Sequence, residues 1–153
     1  GDDVMCNDTM IDSIGHELKA INHIMQRKMF QTAADAGIDR VTIMHGWIIG
    51  YLYCHQEIDV YQRDIESNFA ISRSTVTNIL KLMEKKGYII RQSVDTDARL
   101  KKIVLTEKGK LINSKIEKAI EENENRFNSV LTSDERQQFI YLVRKLRHGL
   151  ESN

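Results

Sequence analysis

Apolar residues recurring at spacings of three and four, an absence of proline, and one interruption by two β-rich runs predict a mainly α fold with a small β-wing. The 153-residue chain has the length of one domain, or of a compact domain with a dimerisation appendage. Without proline, helices must start on Ser, Thr or Asp caps, and a long helical framework can run unbroken.

The first helix carries Ile11, Ile14, Leu18, Ile21, Met25 and Met29 on one stripe and ends near Gly37. Thr42 opens a second, through Ile43, Trp47, Ile48, Tyr51 and Leu52. Asp59, with Gln62 three residues on, reads as a capping box for a short third helix bearing Val60, Ile65 and Phe69. Ser72 caps a fourth helix, which the cations Lys85 and Lys86 and then Gly87 terminate. Two strands follow, Tyr88 to Val94 and Lys101 to Thr106, around the polar turn from Asp95 to Arg99. After Thr106 a long stripe (Leu111, Ile112, Ile116, Ile120, Phe127, Val130) and a last helix opened by Thr132 and Glu135 complete the order α-α-α-α-β-β-α-α.

At 100° per residue, Val76, Ile79, Leu80 and Met83 of the fourth helix share the packed face. Ser74, Thr77, Asn78, Lys81 and Lys85 lie opposite, short and polar, then cationic, which suits base edges and phosphates. A short helix, a tight turn and this helix form a helix-turn-helix. The ribbon behind it, with Arg99 near its tip and Lys101 and Lys102 on the return strand, has the character of a wing. Asp97, two residues before Arg99, is placed to hold that guanidinium. The chain is neutral, but between Ile71 and Thr106 eight cations face three anions, so a basic module stands against an acidic remainder.

The stretches Gln62-Arg-Asp-Ile-Glu66, Ile71-Ser-Arg-Ser-Thr-Val-Thr77, Met83-Glu-Lys-Lys-Gly87, Asp97-Ala-Arg99 and Val104-Leu-Thr106 resemble the MarR family of bacterial transcriptional regulators. The resemblance covers nearly the whole chain in element order and about Thr42 to Gly109 in motif. It implies a triangular homodimer on duplex DNA, with the helix from Ser72 in the major groove and Arg99 reaching the minor groove. The implied DNA-binding residues are Ser72, Arg73, Ser74, Thr75, Thr77, Asn78 and Lys81, with Asp97, Arg99, Lys101 and Lys102 of the wing. It further implies a small, often aromatic anion as effector, in a crevice near His16, Ala20, Trp47, Tyr51, Ile112 and Ile116. Ala70 departs from the pattern, standing where many members carry glycine before the recognition helix.

The expected organisation is a single domain over 1–153, with a winged module at 42–106 between dimerisation helices at 8–37 and 107–153. Excess amphipathic helix at both ends independently calls for a partner copy. Most competing functions lack their residues. The five histidines show no metal-binding spacing, so no metal or other cofactor is expected. Cys6 and Cys54 are too few for a disulfide framework, sit in no redox motif and read as inert thiols in a reducing compartment. No phosphate loop, nucleophile elbow or carboxylate pair points to an enzyme. With neither a spanning segment nor a signal-peptide pattern, a cytoplasmic, nucleoid-associated bacterial protein is expected. The competing reading is a winged-helix module that binds another protein, for which an apolar or acidic outer helix face would be expected.

Overall fold

The computed structural model describes residues 12–94 and 97–152 and is mainly helical, with one antiparallel two-stranded ribbon. Its elements are α1 (Ile14–Asp35), α2 (Arg40–Met44), α3 (Gly46–Cys54), α4 (Gln62–Phe69), α5 (Arg73–Lys85), β1 (Ile89–Val94), β2 (Asp97–Leu105), α6 (Glu107–Val130) and α7 (Ser133–Glu151). The winged helix-turn-helix expected from the sequence is present. Ile11, Cys6 and Asp95, named above, lie outside the described residues, as does the neighbouring Thr96 of the turn.

The described residues form two compact units: one within Met29–Ala119, and residues 12–28 together with 120–152. The core of the first unit is built by Ile48, Ile49 and Leu52 of α3, Ile65 of α4, Val76, Leu80 and Met83 of α5, Ile89 and Ile103 of the ribbon, and Ile112 and Ile116 of α6. These residues are buried because each helix turns one apolar stripe inward, as the spacing of three and four requires.

Two helix starts differ from the sequence-based expectation. The second predicted helix is two helices, since His45 leaves the α region (φ −109°, ψ 15°) and its carbonyl accepts from Ile48 N–H to begin α3. Gly46, a weak helix former, follows that break. The start of α2 is fixed by Asp39, whose carboxylate accepts from Thr42 N–H at 2.8 Å. The box on Asp59 does not form. Tyr61 is the N-cap of α4, its N–H donating to Asp64 at 2.8 Å, while Asp59 pairs with Lys102 at 3.5 Å.

The other caps follow the sequence. Ser72 accepts from Thr75 N–H at 3.3 Å, and Thr132 and Glu135 form a reciprocal box at the start of α7. The Glu135 carboxyl is held below its usual range by the Thr132 N–H. Gly87, at φ 79°, turns the chain out of α5, and Tyr88 N–H returns to the Met83 carbonyl at 3.0 Å.

The second unit has a different surface. Ile14, Leu18, Ile21 and Met25 of α1, Ile120 of α6, and Phe139, Leu142, Val143 and Leu146 of α7 are all exposed in the single chain. The stripe predicted on α6 thus divides: Ile112 and Ile116 enter the core, whereas Leu111, Ile120 and Val130 face outward. Cys54 is exposed, because as the last residue of α3 it lies past the buried face that ends at Leu52.

Candidate nucleic-acid interface

The polar face of α5 is available. Val76, Ile79, Leu80 and Met83 are buried, as their spacing predicts, and Arg73, Ser74, Thr75, Asn78 and Lys81 are exposed. Burial of the apolar side fixes the rotation of the helix, so the outward set is decided by packing rather than by its own bonding.

The turn from α4 to α5 passes through Ala70 in the left-handed region (φ 51°, ψ 46°), the conformation that glycine adopts without strain. Ile71 N–H reaches back to the Glu66 carbonyl at 3.2 Å and closes the turn. Across it, Gln62 Nε2 donates to Thr77 Oγ1 at 2.7 Å, and Thr77 Oγ1 donates to the Arg73 carbonyl at 2.8 Å. Thr77 is half-buried and serves this joint, while Thr75 and Ser72 bond each other at 2.8 Å.

The wing pairs Ile89 with Leu105, Ile90 with Val104, Arg91 with Ile103, Gln92 with Lys102 and Ser93 with Lys101, then Val94 with Asp97 across an irregularity. Asp97, expected to hold the Arg99 guanidinium, instead accepts the Arg99 backbone N–H at 2.9 Å. With the carboxylate bonded to the main chain, the Arg99 side chain is exposed. The strand is anchored at its base, where Ile103 N–H donates to the Val60 carbonyl at 2.7 Å.

Between the helix pair and the wing lies a groove of about 390 Å³ lined by Tyr61, Gln62, Arg63 and Glu66, by Arg73, and by Arg91, Arg99, Leu100 and Lys101. Five cations against one carboxylate make it electropositive. Arg91 is engaged by Glu84 at 3.1 Å, which leaves Arg63, Arg73, Arg99 and Lys101 as the cations of the rim. Arg63 stands over the Tyr61 ring at 5.2 Å and was not singled out from the sequence. The only signal for it was a cation one residue into a helix leading to the turn.

The expected residues therefore separate. Arg73, Arg99 and Lys101 meet in the groove, and Ser74, Asn78 and Lys81 lie on the open face of α5. Lys102 lines a different crevice beside Asp59.

The C-terminal end of α5 is tied to two elements. Lys86 Nζ meets Asp39 at 2.8 Å, Lys108 Nζ donates to the Lys86 carbonyl at 2.8 Å, and Thr106 Oγ1 donates to the Gly87 carbonyl at 2.6 Å. Burial alone would raise the Asp39 carboxyl, but Lys86 and Thr42 outweigh it and hold it below its usual range. The Asp39 hydrogen bond moves the Lys86 ammonium upward. Burial lowers the His45 imidazole.

Of the residues expected around an effector, Trp47 and Tyr51 are half-buried against Phe69, with ring centroids 4.3 and 5.5 Å away. The Tyr51 hydroxyl accepts from Asn68 at 3.1 Å. Ile112 and Ile116 are core residues of the same unit, whereas His16 and Ala20 are exposed on the part of α1 that belongs to the other unit. Among the described residues no cluster of three or more His, Cys, Asp or Glu could hold a metal, and no helix is long and apolar enough to cross a membrane.

A sequence model of the MarR family matches residues 41–100, from α2 to the wing. The structure is similar to MepR of Staphylococcus aureus in complex with DNA (28% identity, 90% of this chain and 98% of that one, TM-score 0.75). It is similar, with the same identity and coverage and a TM-score of 0.71, to MepR described as a transcription regulator of the multidrug efflux pump MepA. The YusO protein of Bacillus subtilis shares the fold at 21% identity, over 93% of this chain and 97% of that one, with a TM-score of 0.69. The helix-turn-helix and wing thus match the MarR family of transcriptional regulators over residues 41–100, and nine-tenths of the chain shares the fold of a regulator captured on DNA.

Proposed function

We propose that the protein acts in the bacterial cytoplasm as a non-enzymatic repressor, binding pseudo-palindromic duplex DNA as a homodimer. The observation that carries this reading is the groove rimmed by Arg63, Arg73, Arg99 and Lys101 beside the open polar face of α5. Arginine and lysine there neutralise phosphates and position the module, while the exposed Ser74 and Asn78 meet base edges. Arg99, on a tip whose backbone Asp97 fixes, suits a narrow minor groove.

The homodimer is supported by the exposed apolar faces of α1 and α7, which water would otherwise cover at a cost of about 25 cal/mol per Å². Two copies related by a twofold axis would place two recognition helices about 34–36 Å apart on DNA. The winged module comprises residues 42–106, with dimerisation helices on either side. A small aromatic effector is the proposed means of release, supported by the partly exposed ring surface of Trp47 and Tyr51.

Fluorescence anisotropy with the DNA upstream of the protein's own gene, over a salt series, tests the reading. Log affinity should fall against log salt with a slope of roughly −0.9 per phosphate contact. Arg99→Ala should weaken binding without altering thermal stability, and Asn78→Ala should cost about 1–3 kcal/mol of preference at one base step. Salt-independent binding, or no effect of either substitution, would reject duplex DNA as the partner and favour a protein instead.

A further inference from the structure

One cation of the basic groove is already paired within the fold. Arg91 of β1 lines the groove, and its Nε lies 3.1 Å from a carboxylate oxygen of Glu84, near the end of α5. Among the described residues no ion pair engages the other four groove cations, Arg63, Arg73, Arg99 and Lys101. The backbone beneath Arg91 is fixed. Arg91 stands opposite Ile103, whose N–H donates to the Val60 carbonyl at 2.7 Å, so the side chain alone can change partner.

Glu84 gains nothing from its own helix, since a carboxylate in the last turn opposes the helix macrodipole. Its partner is the guanidinium across the junction of helix and wing. Arg91 Nε is buried but makes no aligned hydrogen bond, so the carboxylate holds it by charge rather than by a directed bond. A DNA phosphate offers the same charge in a geometry that a guanidinium fork fits. To take it, however, Arg91 must abandon Glu84 and leave that carboxylate unpaired beside a polyanion, which offsets the gain. Without Glu84 there is no such offset, and a half-buried cation with no counter-charge is driven toward the open groove.

We propose that Glu84 is an affinity-limiting residue, which withholds Arg91 from the DNA backbone, and that its removal makes Arg91 an additional phosphate contact in each subunit. This rests on the DNA-binding reading above and assigns a role within the same groove. The natural protein binds with four groove cations and keeps the fifth latched. Glu84 does not touch DNA; it acts through Arg91.

Fluorescence anisotropy with the DNA upstream of the protein's own gene, over a salt series, compares the natural protein with Glu84→Ala, Arg91→Ala and the double variant. Glu84 is exposed and alanine is a strong helix former, so the first variant keeps the fold. Glu84→Ala should bind about tenfold more tightly, with a slope against log salt steeper by roughly 0.9 per subunit. Removing any anion near DNA helps a little, and the same substitution in the Arg91→Ala background measures that share, expected to be no more than about threefold. Equal gains in both backgrounds, or weaker binding by a folded Glu84→Ala, would overturn the latch. In spectra of the ¹⁵N-arginine-labelled chain, the Arg91 Nε–H resonance should move on addition of DNA in Glu84→Ala and stay in place in the natural protein. Movement of the same size in both would show Arg91 already on the phosphate and would also overturn it. Failure of the natural protein and all three variants to bind DNA would instead defeat the DNA-binding reading, and the latch with it.

Discussion

Gln62 of α4 donates its side-chain amide to the hydroxyl of Thr77 on α5 at 2.7 Å, and the same nitrogen lies 3.3 Å from the Arg73 carbonyl. Because Thr77 gives its own proton to Arg73, its oxygen is the acceptor from Gln62, which fixes the direction of both bonds. The first helix of the helix-turn-helix therefore holds the second through a polar joint as well as through the core. The angle of the recognition helix depends on it.

Gln62→Ala and Thr77→Val should each destabilise the fold by about 1 kcal/mol, the usual net worth of a partly buried hydrogen bond. Their double variant should lose less than the sum, with a coupling of at least about 0.5 kcal/mol. Urea unfolding of the three variants measures this. Strict additivity would show that the joint carries no energy.

The Asp39–Lys86 pair makes stability depend on pH in a calculable direction. Asp39 has a lowered value when folded, so its contribution is present above the ordinary carboxylate value of 3.8 and fades as pH falls through the folded value. Lys86 has a raised value, so its share is complete below 10.5 and is lost as pH rises through the folded value. Asp39→Asn should cost about 1 kcal/mol at pH 7, modest because both side chains are partly open to water. The difference from the natural protein should shrink in acid below pH 3.8. A gap that stays constant through that range would exclude the ion pair as its source.

Ala70 occupies a left-handed backbone that costs an L-residue about 1–2 kcal/mol. Glycine removes that strain but loses more chain entropy on folding, by about 0.5–1 kcal/mol. Ala70→Gly should therefore stabilise by up to about 1 kcal/mol, read as a rise in Tm. A fall in Tm would mean that the alanine methyl contributes packing greater than the strain.

Gly109 lies in the first turn of α6, where a Cβ would collide with the Tyr88 carbonyl oxygen and come within 2.6 Å of Leu105 Cδ1. Backbone cannot give way as a flexible side chain can, so Gly109→Ala should destabilise by about 1–3 kcal/mol by overpacking. Tm scanning checks this. Unchanged stability would require α6 to dock differently on the ribbon.

Leu142 is exposed on α7 among other apolar residues of the proposed dimer surface. Leu142→Glu should shift the protein from dimer toward monomer in sedimentation and weaken binding to a two-half-site DNA more than to a single half-site. A natural protein that sediments as a folded monomer at micromolar concentration would remove the dimer altogether.

The amino-acid sequence by itself determined the sequence of helices, ribbon and helices apart from the break at His45, the inward face of α5 and the positions of the Ser72 and Thr132 caps. These are local properties: a helical period selects one face, and a cap bonds three residues ahead. It also placed Arg73, Arg99 and Lys101 among the candidates now found in one groove. Tertiary structure decided what depends on distant neighbours. Asp59 could have capped α4, but Lys102 draws it to the ribbon while Asp64 takes the Tyr61 N–H. Thr77 had the polarity of a base-reading residue until Gln62, fifteen residues away, engaged its hydroxyl. Arg63 joined the groove, and Lys102 left it for a second crevice, because strand pairing and helix packing set which side chains converge. Sequence spacing governs the face of one element; the meeting of two faces is a property of the folded chain alone.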